Sequence, residues 1–221
     1  MNKISNFIKY LETRLKEPLP GLESHIKMTP TNNGIPIRKI TPNHDSRVSS
    51  VMLLLTEIEE RINILFTLRS QNLGSHSGQI SFPGGMREDG ENEIETALRE
   101  VHEEIAIVQD QITIVGQLSQ LFVPPSNSVI NPIVGYFDSE KVMTIANPDE
   151  VEEIFYVDLS DFFNTAKLKH ELWNLQGYLC NVPFWDIHNS TPLWGATSMI
   201  LQEFLDISKP FFSEQVINAG R

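Results

Sequence analysis

Apolar residues recur along the chain at two periods, and the changes between them mark out its elements. Ile4, Phe7, Ile8 and Leu11 fall at helical spacing and predict a first helix over residues 4 to 16, stopped before Pro18-Leu19-Pro20-Gly21. Leu22 to Asp45 is rich in Pro, Asn and Thr and reads as a segment covering the core. Val48 to Ile58 and Ile62 to Thr67 are apolar runs of β type joined by Glu59-Glu60-Arg61, which predicts two strands linked by a short turn. The nearly unbroken VMLLL from Val51 implies burial on both faces. Ile112 to Gln117, Ile130 to Phe137 and Glu153 to Val157 continue the strand signal, whereas Ser160 to Thr165 and Thr197 to Ile207 read as helical.

Residues 81 to 107, SFPGGMREDGENEIETALREVHEEIAI, interrupt the strand pattern. The glycine pair after Pro83 allows a sharp turn and close backbone approach to a ligand, and a helix is expected to start near Glu91 or Asn92. Ile94, Ala97, Leu98, Val101 and Ile105 share one arc of that helix, its core-facing stripe. Strands on both sides of a central helix, with a late C-terminal helix, predict an α/β protein with a mixed β-sheet between helical layers.

Length and charge narrow the class. A chain of 221 residues suits one domain with a sizeable core, here 1–221 with an N-terminal helical extension over about 1–45. The 17 basic residues against 29 acidic ones give a formal charge of −12, which argues against a broad electrostatic grip on nucleic acid or on an anionic membrane. An acidic enzyme with a polyanionic substrate must neutralise it with metal ions and a local basic pocket. Cys180 is the sole cysteine, so neither an intrachain disulfide nor a paired-thiol zinc motif can form. No signal peptide or membrane span is apparent, INAGR is not a peroxisomal address, and the cytoplasm is the default location.

The acidic residues of the central helix carry the candidate chemistry. Glu100, Glu103 and Glu104 miss the apolar stripe and, with Glu93, share one face at i+3 and i+4 spacing, where like charges repel. Arg99 stands four residues from both Glu95 and Glu103 and relieves part of that repulsion. A hard divalent ion such as Mg2+ suits the rest, since it takes carboxylate oxygens and commonly substrate phosphate. A run of charges is more often solvated surface, so the order of the residues decides the matter.

From Gly85 the chain runs five residues to Glu91 and seven more to Arg99-Glu100, then Val101-His102-Glu103-Glu104-Ile105-Ala106-Ile107. This resembles the Nudix box of hydrolases that cleave nucleoside diphosphates linked to another group. Every fixed position matches except the last glycine, replaced by Ala106. Upstream, Leu65 to Ser70, Leu73, His76, Gly78-Gln79-Ile80 and Phe82-Pro83-Gly84-Gly85 look like the signature of the coenzyme A diphosphatase branch. Weaker echoes follow at 131–135, 148–151 and 193–197. Phe66 stands for an aliphatic residue, and Gly74 for an arginine of the kind best fitted to hold a phosphate.

The resemblance implies an α/β/α sandwich and hydrolysis of the diphosphate bond of coenzyme A or its derivatives with Mg2+ or Mn2+. Glu100, Glu103, Glu104 and the Gly84 carbonyl are the implied metal ligands, and Arg99 orients the carboxylates. Glu100 and Glu150 are the two candidates for general base. Arg69, His76, Gly84 and Gly85 are placed at the substrate, with Arg38, Arg47 and Arg87 as other sources of positive charge. His76 suits a structural role equally well, and His102 reads as surface. Trp173, Trp185, Trp194, Tyr178 and Phe184 either stack on an adenine or fill core. Another nucleoside diphosphate derivative such as ADP-ribose or a dinucleotide, or a non-catalytic nucleotide-binding module, are the alternatives. A small molecule is the expected partner, and a homodimer the assembly to look for.

Overall fold

The computed structural model describes residues 3–37, 42, 45–72 and 77–219. In chain order the elements are α1 (Lys3–Arg14), α2 (Leu22–His25), β1 (Thr31–Asn32), β2 (Ile35–Pro36), β3 (Arg47–Ile58), β4 (Arg61–Arg69), β5 (Ile80–Ser81), β6 (Gly84–Met86), α3 (Glu93–Ile105), β7 (Thr113–Gln117), β8 (Leu121–Val123), β9 (Ser128–Tyr136), β10 (Val151–Asp158), β11 (Leu168–Leu175), β12 (Tyr178–Trp185) and α4 (Gly195–Ala219).

The main sheet has the order β10-β4-β3-β9-β7, with β5 on β4, β6 on β3 and β8 on β9. Among the described strands only β3 and β9 run parallel, so the sheet is mixed. Alternation along β3 gives the layers. Met52 and Leu54 pack with Ala97, Val101 and Ile105 of α3, while Leu53 and Leu55 pack with Phe7 and Leu11 of α1 and Phe204 of α4. The result is the expected α/β/α arrangement, and burying each large apolar side chain contributes about 1.5–3 kcal/mol before the cost of ordering it. β3 and β4 meet in a two-residue turn with Glu59 and Glu60 both at positive φ, the backbone that matches strand twist.

Several elements depart from the sequence pattern. Residues 22–45 were expected only to cover the core, yet β1 and β2 join β11 and β12 in a second, four-stranded antiparallel sheet. β11 carries Lys169, His170 and Glu171 in succession and so lacks an alternating apolar signal. Residues 159–163 and 165–167 form two short 3-10 turns rather than one helix. The last helix runs beyond Ile207 to Ala219, with Pro210 inside it. The segment before β1 is fastened to α4 by the buried Glu203 carboxylate, which meets the Gly21 N–H at 3.0 Å, the Ser119 N–H at 3.2 Å and His25 Nε2 at 3.0 Å.

α3 is closed at both ends. Asn92 accepts from the N–H groups of Ile94 and Glu95, and Glu95 returns a bond to the Asn92 N–H at 2.8 Å, satisfying donors that the helix leaves free. At the other end Ala106 takes the left-handed conformation, φ 61°, with its N–H on the His102 carbonyl. An L-residue is strained there by about 1–2 kcal/mol, whereas glycine is not. Ala106→Gly is therefore expected to stabilise the fold by about 0.5–1 kcal/mol after its larger unfolded-state entropy is subtracted. Thermal melts should show a rise of about 1–4 °C; an unchanged or lower midpoint would mean the cap is not strained.

Candidate active site

The site lies where α3 crosses the glycine strand β6. A side chain on Gly84 would strike the Ser50 carbonyl and the backbone of Val51, and one on Gly85 would strike the Glu100 carboxylate. Lacking both, β6 lets the acidic face of α3 come down onto the sheet. The charge run is thus not the solvated surface that such runs more often form. Glu100 and Glu104 are buried, at 9% and 1% exposure, and only Glu103 stays half-exposed. Ile94, assigned to the apolar stripe, is instead exposed at the first turn.

Arg99 gathers the outer carboxylates. Nε and Nη2 bind Glu91 at 2.6 and 3.2 Å, Nη1 donates to Glu100 at 2.8 Å and Glu103 at 2.9 Å, and Nη2 reaches the Met86 carbonyl at 2.9 Å. The partner expected four residues earlier, Glu95, is spent on the helix cap, and Glu91 takes that place. Glu91 was visible as a fixed position of the box but not as the principal partner of Arg99. The Arg99 hydrogen bonds hold its carboxyl down to about 2, against the opposing effect of burial.

The inner carboxylates behave in the opposite way. Burial raises Glu100, opposed by Arg99 and reinforced by Glu103 and Glu150. Burial pushes Glu104 up to about 8; Arg69 opposes it, Glu100 and Glu150 add to it, and the Gly84 N–H offsets a little. Arg69 Nη1 donates to Glu104 Oε1 at 3.2 Å. Glu104 Oε2 is buried with no hydrogen-bond partner among the described residues, as is the hydroxyl of Ser50, which shares the α3 side of β3 with Met52. No sequence signal marks Ser50.

Glu150 belongs to the loop between β9 and β10. The Ile145 and Asn147 N–H groups donate to the carbonyls of Ile105 and Glu104 at 3.0 and 2.9 Å, so the loop supplies donors to the open end of α3. The Glu150 N–H returns to Asn147, its carbonyl accepts from the Ser70 N–H at 2.9 Å, and its charge is felt at both Glu100 and Glu104. Sequence-distant Glu150 and Arg69 are thus brought to the helix.

The other candidates divide. Arg38, Leu73, Gly74 and His76 fall outside the described residues. Arg47 donates to the Ser126 carbonyl at 2.7 Å, and Arg87 lies 3.6 Å from Glu93. His102 is exposed, as expected. Trp185 and Phe184 are buried; Trp173 stacks on Phe184 and meets Trp194 edge-on, while Tyr178 is exposed on the hairpin. A groove of about 370 Å³ bounded by Ser70, Asn72, Pro148 and Glu152 adjoins Glu150. A hollow of about 270 Å³ bounded by Lys3, Arg61 and Phe212 lies towards α1 and α4, away from the acidic cluster.

A divalent cation fits the donors present. They are hard carboxylate oxygens, one of them buried and unpartnered, in a cluster whose repulsion two arginines only partly relieve. Among the described residues no three acidic, imidazole or thiol side chains already converge tightly enough to enclose an ion.

Comparison with known proteins agrees with this geometry. The NUDIX domain profile matches residues 46–177. The chain is 29% identical over 187 residues to Nudix hydrolase 3 of Caenorhabditis elegans, covering 78% of each protein. It is 33% identical over 116 residues to the peroxisomal coenzyme A diphosphatase NUDT7 of Mus musculus, covering 52% of this chain and about half, 48%, of that one. A MutT/nudix family protein from Enterococcus faecalis superposes with a TM-score of 0.50 at 17% identity, over 75% of this chain and 63% of that one, and speaks for the fold alone.

The carboxyl of Glu104 sets a sign for stability against pH. Unfolded it titrates near 4.5 and folded near 8, so between those values only the folded state holds the proton, and stability falls as pH rises. In the metal-free protein, Glu104→Gln is expected to match the wild type near pH 4.5 and to melt several degrees higher at pH 8. Melts in chelator across that range would show it; a mutant-minus-wild-type difference that does not grow with pH would place the charge cost elsewhere.

Proposed function

This chain belongs to the NUDIX family of hydrolases, which act on pyrophosphate bonds of nucleoside diphosphate derivatives, and on that premise we propose that its substrate is coenzyme A or an acyl derivative of it. The products are 4′-phosphopantetheine, or its acyl form, and adenosine 3′,5′-bisphosphate. The observation that carries the choice is the run from Leu65 to Gly85, with Thr67-Leu68-Arg69-Ser70 at one end and Phe82-Pro83-Gly84-Gly85 at the other. The mouse coenzyme A diphosphatase among the relatives supports it.

Nudix hydrolases generally use Mg2+ or Mn2+. Here Glu100, Glu103 and Glu104 would hold the ion, with the Gly84 carbonyl at hand, and a bound ion lowers the pKa of water and offsets charge on the phosphoryl oxygens. The chain's own residues do the rest. Arg99 fixes Glu100 and Glu103 in place while its fork is locked by Glu91. Gly84 and Gly85 put no side chain between β6 and α3, so the Glu100 carboxylate sits directly on bare backbone. Glu150 accepts the proton of the attacking water. The new P–O bond forms at one phosphorus as the bridging P–O bond breaks, and the other phosphate leaves with the electron pair. Repulsion from Glu150 contributes to the raised carboxyls of Glu100 and Glu104, which supports its candidacy for that role.

A substrate panel with Mg2+ tests the substrate. Release of 4′-phosphopantetheine and adenosine 3′,5′-bisphosphate from coenzyme A is expected; rapid cleavage of ADP-ribose with coenzyme A left intact would overturn the reading. Glu150→Gln is expected to lower kcat by about 10²–10⁴-fold and flatten the acid limb of its pH profile while leaving the Mg2+ requirement unchanged. Wild-type rates across the pH range would return the proton to Glu100.

A further inference from the structure

The two arginines of the site are not equivalent. Arg99 is shared among three carboxylates at the rim, whereas Arg69 addresses Glu104 alone among the clustered acids. Arg69 ends β4 on the α3 side of the strand, in alternation with Leu65 and Thr67. Its backbone is fixed: its N–H donates to the Gln79 carbonyl at 3.0 Å, its carbonyl accepts from the Gly78 N–H at 3.0 Å, and the next N–H, of Ser70, donates to Glu150. The guanidinium is thereby delivered to a carboxylate that is almost completely buried. One oxygen of that carboxylate is taken, at 3.2 Å, and the other has no partner among the described residues.

We propose that Arg69 is a positioning residue for the divalent ion: by holding Glu104 Oε1 from a fixed strand end, it sets the carboxylate plane so that Oε2 is the oxygen offered to the metal. The inference rests on the reading of Glu104 as a metal ligand and gives Arg69 a task distinct from gripping substrate phosphate. The terminal torsion of a glutamate is broad and two-fold, so a buried carboxylate without an anchor presents either oxygen in a spread of orientations. A charged donor anchored in the sheet removes that freedom, as groups behind metal ligands commonly do.

The test is Mn2+ binding followed by the loss of the free-ion paramagnetic resonance signal, with no substrate present. Arg69→Gln is expected to weaken Mn2+ about 10–100-fold, and Arg69→Lys, which keeps the charge and a donor, to recover a large part of the loss. Because both residues act on one contact, Arg69→Gln should cost little more once Glu104→Gln is in place. At saturating Mn2+ the KM of Arg69→Gln for coenzyme A should stay near the wild-type value. Melts in chelator guard against simple unfolding, and Arg69→Lys carries the test if the glutamine variant does not fold. Wild-type Mn2+ affinity in Arg69→Gln overturns the proposal, above all if KM rises instead, and so does a loss that adds in full to that of Glu104→Gln. A wild type that binds no Mn2+ overturns this inference together with the metal site. The expected Mn2+ pattern in a protein that leaves coenzyme A intact would remove only the choice of substrate and leave Arg69 in its place.

Discussion

Burial of carboxylates against bare backbone is the constraint on which the site depends. A helix face bearing Glu100, Glu103 and Glu104 would ordinarily turn to water, because a charge taken out of solvent without a partner is costly. Here the opposite face of α3 is held to the sheet by Ala97, Val101 and Ile105, and the floor beneath the acids is made of Gly84 and Gly85. With no side chain in β6 to hold the helix away, apolar packing on one flank forces acids down on the other. The elevated carboxyl of Glu104 is the consequence of that geometry.

The chain manages the resulting charge with two arginines of different reach. Arg99, on the helix itself, is saturated by Glu91, Glu100, Glu103 and the Met86 carbonyl. Arg69, on the sheet, meets Glu104, which among Glu100, Glu103 and Glu104 is the one that Arg99 does not bind. Neither is a free cation waiting for a phosphate. A polyanion at this site would therefore meet arginines already engaged by carboxylates.

Much of this was legible in the sequence, and what was not has physical causes. The strands from Val48 to Thr67, the helix after Asn92 and the three glutamates follow from periodicity and spacing, which local sequence encodes directly. The second sheet is not encoded that way: β1 and β2 are two residues each, and β11 is largely polar. Spacing pointed to Glu95 as the partner of Arg99, but the capping bond of Glu95 to the Asn92 N–H removes it and leaves that place to Glu91. The burial of Glu100 and Glu104 could not be read from the helix, because it is a property of the strand beneath. Arg69 was noticed for the right neighbourhood, but its contact is set by β4 alternation and by the depth at which α3 settles.

The loop that closes the end of α3 has a further meaning. Its amides at Ile145 and Asn147 are moored to the carbonyls of Ile105 and Glu104, and a few residues on it reaches Glu150, moored in turn to Ser70. Helix, loop and the end of β4 are thus three sides of a frame in which backbone hydrogen bonds join the loop to the other two and the Arg69–Glu104 ion pair joins strand to helix. In such a frame the short span from Asn147 to Glu150 works as a ruler. Lengthening it by one residue would leave each side chain intact and still set the acid on the loop out of step with those on the helix, so the dimension most sharply fixed in this site is a length of chain.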